Sequence, residues 1–246
     1  MDDELTRTLK YLRLWGLLAH WDDYVALAQK QRLSHVRLLR HVVDEESRIR
    51  SQNARKLRFQ RACIPELLPM ETFPFDRQPK LDRKRILSIY DGFDYITKSQ
   101  NVIWVGPTGC GKTGLTTGFL MQAIERGCTG RYVLFPGLIA ELFRAAADRS
   151  EPQVLKRYLS CDCLLVDEVG YVETEPAQVG MFFTLLHKRH RKKPTLITSN
   201  LGFSEWRAFL KNDHLTAALI DRLTENSHVI NMKNCGSLRP KLASES

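Results

Sequence analysis

Glycine and proline are almost missing from the start of this chain: residues 1 to 62 hold one glycine, Gly16, and no proline. That excludes a turn-rich opening and leaves a helical one. Long apolar runs are missing throughout, and none approaches the roughly 18 to 20 residues that a membrane span needs. The opening "MDDELTRTLK" is acidic and mixed, unlike a secretory signal. Cysteine is sparse and unpatterned, at positions 63, 110, 128, 161, 163 and 235. Cys161-x-Cys163 lacks the two-residue gap of a zinc knuckle and has no second pair to close a site. These absences predict a cytoplasmic protein with reduced thiols and no membrane partner. Internal repeats and low-complexity tracts are absent too.

What is there fits a soluble globular protein: 43% hydrophobic and 26% charged residues in a chain of 246. That length accommodates one α/β domain and a small appendage. The formal charge is +9, which favours polyanionic partners. Residues 1 to 65 hold 13 Lys/Arg against 8 Asp/Glu, and so carry more than half of the excess. Apolar residues recur there at helical spacing (Leu5, Leu9, Leu12; Val36, Leu39, Val42, Val43), and Ser34 is placed to cap a helix beginning near His35. Residues 1–64 therefore read as a small, basic, all-helical unit. Four prolines in "IPELLPMETFPFDRQP" mark 65–80 as a linker. From 81 to 246, short β-suited runs ("NVIWV", "RYVLF", "CDCLLV", "PTLITS", "HVINM") alternate with amphipathic stretches. That alternation predicts an α/β fold with a central parallel sheet covered on both faces.

Directly after the first of those strands stands "GPTGCGKT", an unbroken G-x-x-x-x-G-K-[ST]. The spacing suits phosphate chemistry. Glycines let consecutive backbone N–H groups turn inward, and a helix starting near Lys112 adds the partial positive charge of its N-terminus. Gly106, Pro107, Thr108, Gly109, Cys110, Gly111, Lys112, Thr113 and Gly114 are the candidate nucleotide-binding set. Lys112 would reach the β- and γ-phosphates, and Thr113 would ligate Mg²⁺. "CLLVDEVGY" runs a buried strand into two adjacent acids, Asp167 and Glu168. At the common edge of a parallel sheet Asp167 would face the same Mg²⁺, and Glu168 would polarise an attacking water. A further strand, "TLITSN", ends at Asn200, whose amide suits a water-positioning sensor.

With "TSNLGFSEW" and "ALIDRLTENSHVI" added, these motifs resemble, in order and spacing, the IstB-like ATPases. Those are helpers of two-gene insertion sequences and AAA+ relatives of the DnaC helicase loader. The resemblance covers nearly the whole chain. It implies a P-loop AAA+ three-layer fold and an ATPase using ATP and Mg²⁺. It further implies homo-oligomers with ATP between subunits, assembly on double-stranded DNA mostly through its backbone, and activation of a partner transposase. Arg222 in "IDRL" matches the family's arginine finger. Alternatives with the same motifs are a replicative helicase loader and a DNA-binding ATP switch with negligible turnover. The chain departs from the family in Gly114-Leu115 after the phosphate loop, in the shortened "CGSLR", which leaves Arg239 open as a second sensor, and in a very basic "KRHRKK" at 188–193. "RIRSQNARKLRFQR" at 48–61, with six Lys/Arg and no acid, is the stronger candidate for phosphate contacts. Phe73 and Phe75 are candidates to line an adenine pocket.

Overall fold

A computed structural model describes residues 1–31, 33–171 and 175–239. Backbone contacts divide the chain into Met1–Leu57 and Arg58–Ser246. No described helix is long and apolar enough to cross a membrane.

The first unit is helical: α1 (Asp3–Tyr11), α2 (Trp15–Ala19), α3 (Trp21–Gln31) and α4 (His35–Ala62), whose end from Arg58 belongs to the second unit. Asp2 caps α1, accepting from Leu5 N at 2.7 Å, and Ser34 Oγ receives Arg37 N at 3.4 Å at the head of α4. The lone glycine has a steric cause. At Gly16 a Cβ would stand 2.6 Å from Ile49 Cδ1 and 2.7 Å from Glu46 Oε2. Glu46 is buried and ties three helices together: it accepts from Leu17 N (2.9 Å) and pairs with Arg50 (3.1 Å), whose Nη2 reaches the carbonyls of Leu12 and Arg13. Leu9 and Tyr24 are buried, whereas Val36, Leu39, Val43 and Trp15 stand exposed. The helical periodicity is real, but that part of the apolar stripe does not form core.

The second unit continues with α5 (Arg83–Gly92), α6 (Asp94–Thr97), β1 (Asn101–Val105), α7 (Lys112–Glu125), β2 (Gly130–Leu134), α8 (Phe135–Ala147), α9 (Glu151–Ser160) and β3 (Cys163–Val169). It closes with α10 (Pro176–Arg189), β4 (Thr195–Ser199), α11 (Phe203–Leu210), α12 (Asp213–Glu225) and β5 (Ser227–Asn231). All strand pairs are parallel, in the order β2-β3-β4-β1-β5. β4 thus lies between the strand leading to the phosphate loop and the strand carrying the acids. Strand residues alternate between two cores. Val102, Trp104, Leu165 and Leu196 pack with Leu115, Phe119 and Tyr95 on one side. Ile103, Val105, Val166 and Ile197 pack with Leu138, Phe182, Trp206 and Leu219 on the other. This is the expected three-layer arrangement, helices on both faces of one parallel sheet. Residues 65–80 are part of this unit and supply buried Met70 and Gln78 to it.

Part of "KRHRKK" is structural. Arg189 is 1% exposed, and its guanidinium donates to the carbonyls of Tyr158, Cys161, Asp162 and Pro194 and to Thr195 Oγ1. It fastens the starts of β3 and β4 to the ends of α9 and α10. Burial pushes its pKa down, and nearby Cys161, Cys163 and Asp162 oppose that shift. Arg191 pairs with Glu225, and Lys193 with Asp162 at 3.5 Å. Arg191 and Lys193 are thus engaged within the protein, and Arg189 is sealed away from any nucleic acid.

Candidate functional site

The chain leaves β1 at Val105, and Gly106 N still donates to Ser199 O at 3.1 Å. The loop then turns through Gly111, at φ +97°, into α7. A Cβ at Gly111 would stand 2.6 Å from Phe73 Cε2 and 2.9 Å from Leu238 Cδ1, so glycine is required there both for conformation and for space. Lys112, 7% exposed, donates from Nζ to Gly106 O (2.7 Å) and Pro107 O (2.8 Å). Burial pushes its pKa down; nearby Cys110, Asp167 and Glu168 oppose that shift.

Asp167 ends up beside this loop. It is 1% exposed and accepts from three hydroxyls: Tyr132 at 2.8 Å, Thr113 at 3.2 Å and Thr198 at close range. Among the described residues none of its hydrogen bonds comes from an ammonium or guanidinium group. A buried carboxylate held only by neutral donors, one of them the loop's own Thr113, has the chemistry of a cation ligand. Burial, then the charge and bond of Asp167, raise the Tyr132 pKa, so that phenol remains a donor.

Glu168 follows at φ +64°, and its N–H donates to Thr198 Oγ1 at 3.0 Å. The β3–β4 register breaks here: Val166 pairs with Ile197 but Val169 with Ser199, three residues advancing against two. A bulge of this kind re-aims the side chain at the extra position. Asn200 follows β4, with its Oδ1 buried and unbonded among the described residues. Gly170, at φ +107°, leaves room for it, since a Cβ there would stand 2.6 Å from Asn200 Oδ1. Tyr171 OH and Thr108 Oγ1 are 2.8 Å apart, linking the acidic strand to the phosphate loop.

The far end of the chain reaches the same loop. Leu238 N donates to Gly109 O at 2.8 Å, and Gln78 Nε2 donates to Cys110 O (3.0 Å) and Gly236 O (2.7 Å). Arg239 Cδ would be 3.5 Å from a Cβ on Gly109. Phe73 and Phe75, edge to face at 4.8 Å, line a cavity of about 460 Å³ with Met70, Arg83, Tyr90 and Asp91. Gly114 opens toward Leu68 and Phe73, where a Cβ would lie 3.7 and 4.0 Å away.

The structure thus brings the phosphate loop, Asp167, Glu168 and Asn200 to the carboxyl ends of three neighbouring strands. Arg222 is elsewhere. It lies three residues before the end of α12, which passes straight into β5 at Ser227, and so near the opposite, amino-terminal edge of the sheet. It pairs with neither Asp221 nor Glu225; its partners are on α10 and its own helix. Sequence reasoning missed Tyr132, Thr198, Gln78 and Tyr171. One sequence carries no signal that singles them out: Tyr132 shares its strand with Arg131, and Thr198 is one of three hydroxyl residues in its own.

A family model described as IstB-like ATP binding protein matches residues 7–246. The chain belongs to the IstB-like ATP-binding family. Among its relatives, one from Pseudomonas aeruginosa, named as an ATP-binding protein of insertion sequence IS21, is 30% identical over 94% of this chain and 86% of its own length. Another from Bacillus thuringiensis subsp. berliner, named likewise for IS232, is 27% identical over 93% and 91%. Among solved structures, AMPPCP-bound DnaA from Aquifex aeolicus superposes with TM-score 0.57 at 16% identity, covering 70% of this chain and 51% of its own. A DnaC helicase loader gives 0.53 at 19%, covering 61% and 87%. These likenesses establish the fold, which is AAA+, in an IstB-like ATP-binding protein.

Proposed function

We propose that this IstB-like protein is a Mg²⁺-dependent ATPase that assembles as a homo-oligomer on double-stranded DNA and helps a partner transposase in insertion-sequence transposition. The observation carrying the hydrolytic part is Asp167, buried against Thr113 of the phosphate loop and, among the described residues, hydrogen-bonded only by hydroxyls. Thr113 and Asp167 would hold Mg²⁺, which would supply neutralisation of phosphate charge when bound. The backbone from Gly106 to Gly111 cradles phosphate, with Gly114 in the first turn of the helix behind it. Lys112 exchanges its loop carbonyls for phosphate oxygens. Glu168, re-aimed by the bulge, orients and polarises the attacking water, and Asn200 offers its unpaired amide oxygen to that water. Phe73 and Phe75 are assigned to the adenine side. Arg222, placed away from its own chain's loop, serves the nucleotide of a neighbouring subunit. The insertion-sequence names of the relatives support the transposition context, and the basic run at 48–61 supports contact with the DNA backbone. The work is cytoplasmic.

Replacing Glu168 by Gln tests this. The variant is expected to bind ATP normally, to hydrolyse it at least about 10²-fold more slowly, and to remain on duplex DNA. Unchanged turnover removes Glu168 from the chemistry. Rapid departure from DNA with hydrolysis blocked removes the link between the two. Co-precipitation with a transposase and not with a replicative helicase separates the proposed client from the alternative one.

A further inference from the structure

Arg222 does not wave free on α12. Its Nε donates to His187 Nδ1 at 3.1 Å, its Nη1 donates to Ala218 O at 3.1 Å, and its guanidinium carbon lies 4.8 Å from the centre of the Phe183 ring. Phe183 and His187 are one helical turn apart on α10, and their rings stack at 5.9 Å with planes 3° apart. The two helices are also joined at their ends, where Glu225 pairs with His190 at 3.0 Å and with Arg191. Glu225, three residues after Arg222 on α12, is therefore already engaged.

We infer that Phe183 and His187 are positioning residues that pre-set Arg222 for the ATP site of a neighbouring copy of this chain. The inference rests on the reading of Arg222 as a finger and deepens it. An arginine side chain has many rotamers, and one that must meet a transferring phosphoryl group gains from being ordered beforehand. A ring face attracts the guanidinium without competing for its N–H groups. His187 takes only the Nε–H and Ala218 one Nη1–H, so among the described residues the second Nη1–H and both on Nη2 are unclaimed. A carboxylate in the same place would claim the terminal donors pairwise and neutralise the charge. A stacked aromatic pair and an imidazole nitrogen acceptor leave both charge and reach intact.

The test uses the full-length protein with ATP and duplex DNA, and compares ATP affinity with kcat. His187→Ala and Phe183→Leu are expected to leave the ATP Kd within about twofold and to lower kcat by ~10- to 100-fold, the loss typical of a misplaced group. His187→Asn, which returns an acceptor near the Nδ1 position, should recover most of it. Mixing His187→Ala chains with Lys112→Ala chains should raise turnover above the sum of the two, because the second chain lends a well-held Arg222 to the first chain's intact nucleotide site. Wild-type kcat in both single variants overturns the inference, as does a faster one, which would mean that the cradle parks the arginine. Loss of ATP binding in step with kcat also overturns it, as a folding effect. Arg222→Ala is run alongside: a normal kcat there removes the finger reading itself, whatever the cradle variants do.

Discussion

The Tyr132 hydroxyl donates to Asp167 Oδ2 at 2.8 Å, across neighbouring strands and on the α7 side of the sheet. With Thr113 and Thr198 it supplies the hydrogen bonds that make a buried carboxylate tolerable. Tyr132→Phe removes one of these donors and little volume. We expect about 1–2 kcal/mol loss of stability by urea unfolding, since a buried acceptor loses its partner. Half-maximal turnover should also shift in Mg²⁺ concentration, because one constraint on the orientation of Asp167 is gone. Unchanged stability and unchanged Mg²⁺ dependence together would mean that the other two hydroxyls suffice.

Gly170 faces Asn200 with too little space for a methyl group. At φ +107°, a Cβ would meet Asn200 Oδ1 at 2.6 Å and Leu201 Cγ at 2.8 Å. Gly170→Ala is therefore strained in its backbone and displaces the amide, at a cost of order 1–3 kcal/mol. ATP binding should survive while turnover falls, and isothermal titration beside a phosphate-release assay separates the two. Full activity in a normally stable Gly170→Ala protein would exclude Asn200 from water positioning.

How much of this was readable beforehand depends on range along the chain. The phosphate loop, the acidic pair and Asn200 announce themselves because each is a local pattern at a strand end. The parallel sheet follows from continuous apolar strands separated by helices. Two of Asp167's three supporting hydroxyls come from 35 residues before it and 31 after, in other strands, and a single sequence gives no register by which to align them. The left-handed Glu168 is equally silent, because it arises from a register break between two strands and not from its own residue type. Charge runs are the least legible. The helical content of 48–61 was legible, but "KRHRKK" mixes exposed residues with Arg189, whose burial depends on carbonyls from two separate segments, 158–162 and Pro194.

That distinction between basic runs can be measured. Arg189→Met would strand several buried carbonyls at about 1–3 kcal/mol each where water cannot enter, so a loss of roughly 2–4 kcal/mol in stability is expected. Its effect on the salt dependence of DNA binding should be nil. Within 48–61, Arg48 and Arg50 are committed to Glu45 and Glu46, so they are poor choices for a probe. Lys56→Ala is the better one: if it touches a phosphate, the slope of log K against log salt should fall in magnitude by about 0.9, with stability unchanged. An unaltered slope would take Lys56 out of the DNA interface.

Gln78 offers the sharpest test of how the phosphate loop is held, because one nitrogen joins three distant segments. Its Nε2 donates to Cys110 O within the loop and to Gly236 O near the end of the chain, and the residue is 2% exposed. Both contacts require a donor. Gln78→Leu leaves two carbonyls without it, and two net hydrogen bonds at about 1 kcal/mol each correspond to roughly a tenfold or greater weakening of ATP binding if the loop loses its shape. Gln78→Glu has nearly the same size and shape but presents oxygen where nitrogen stood, so it faces both carbonyls with an acceptor and buries a charge besides. The glutamate variant should therefore bind ATP no better than the leucine variant and unfold at lower urea. Were the isosteric glutamate to bind like wild type, packing and not hydrogen bonding would be what shapes the loop.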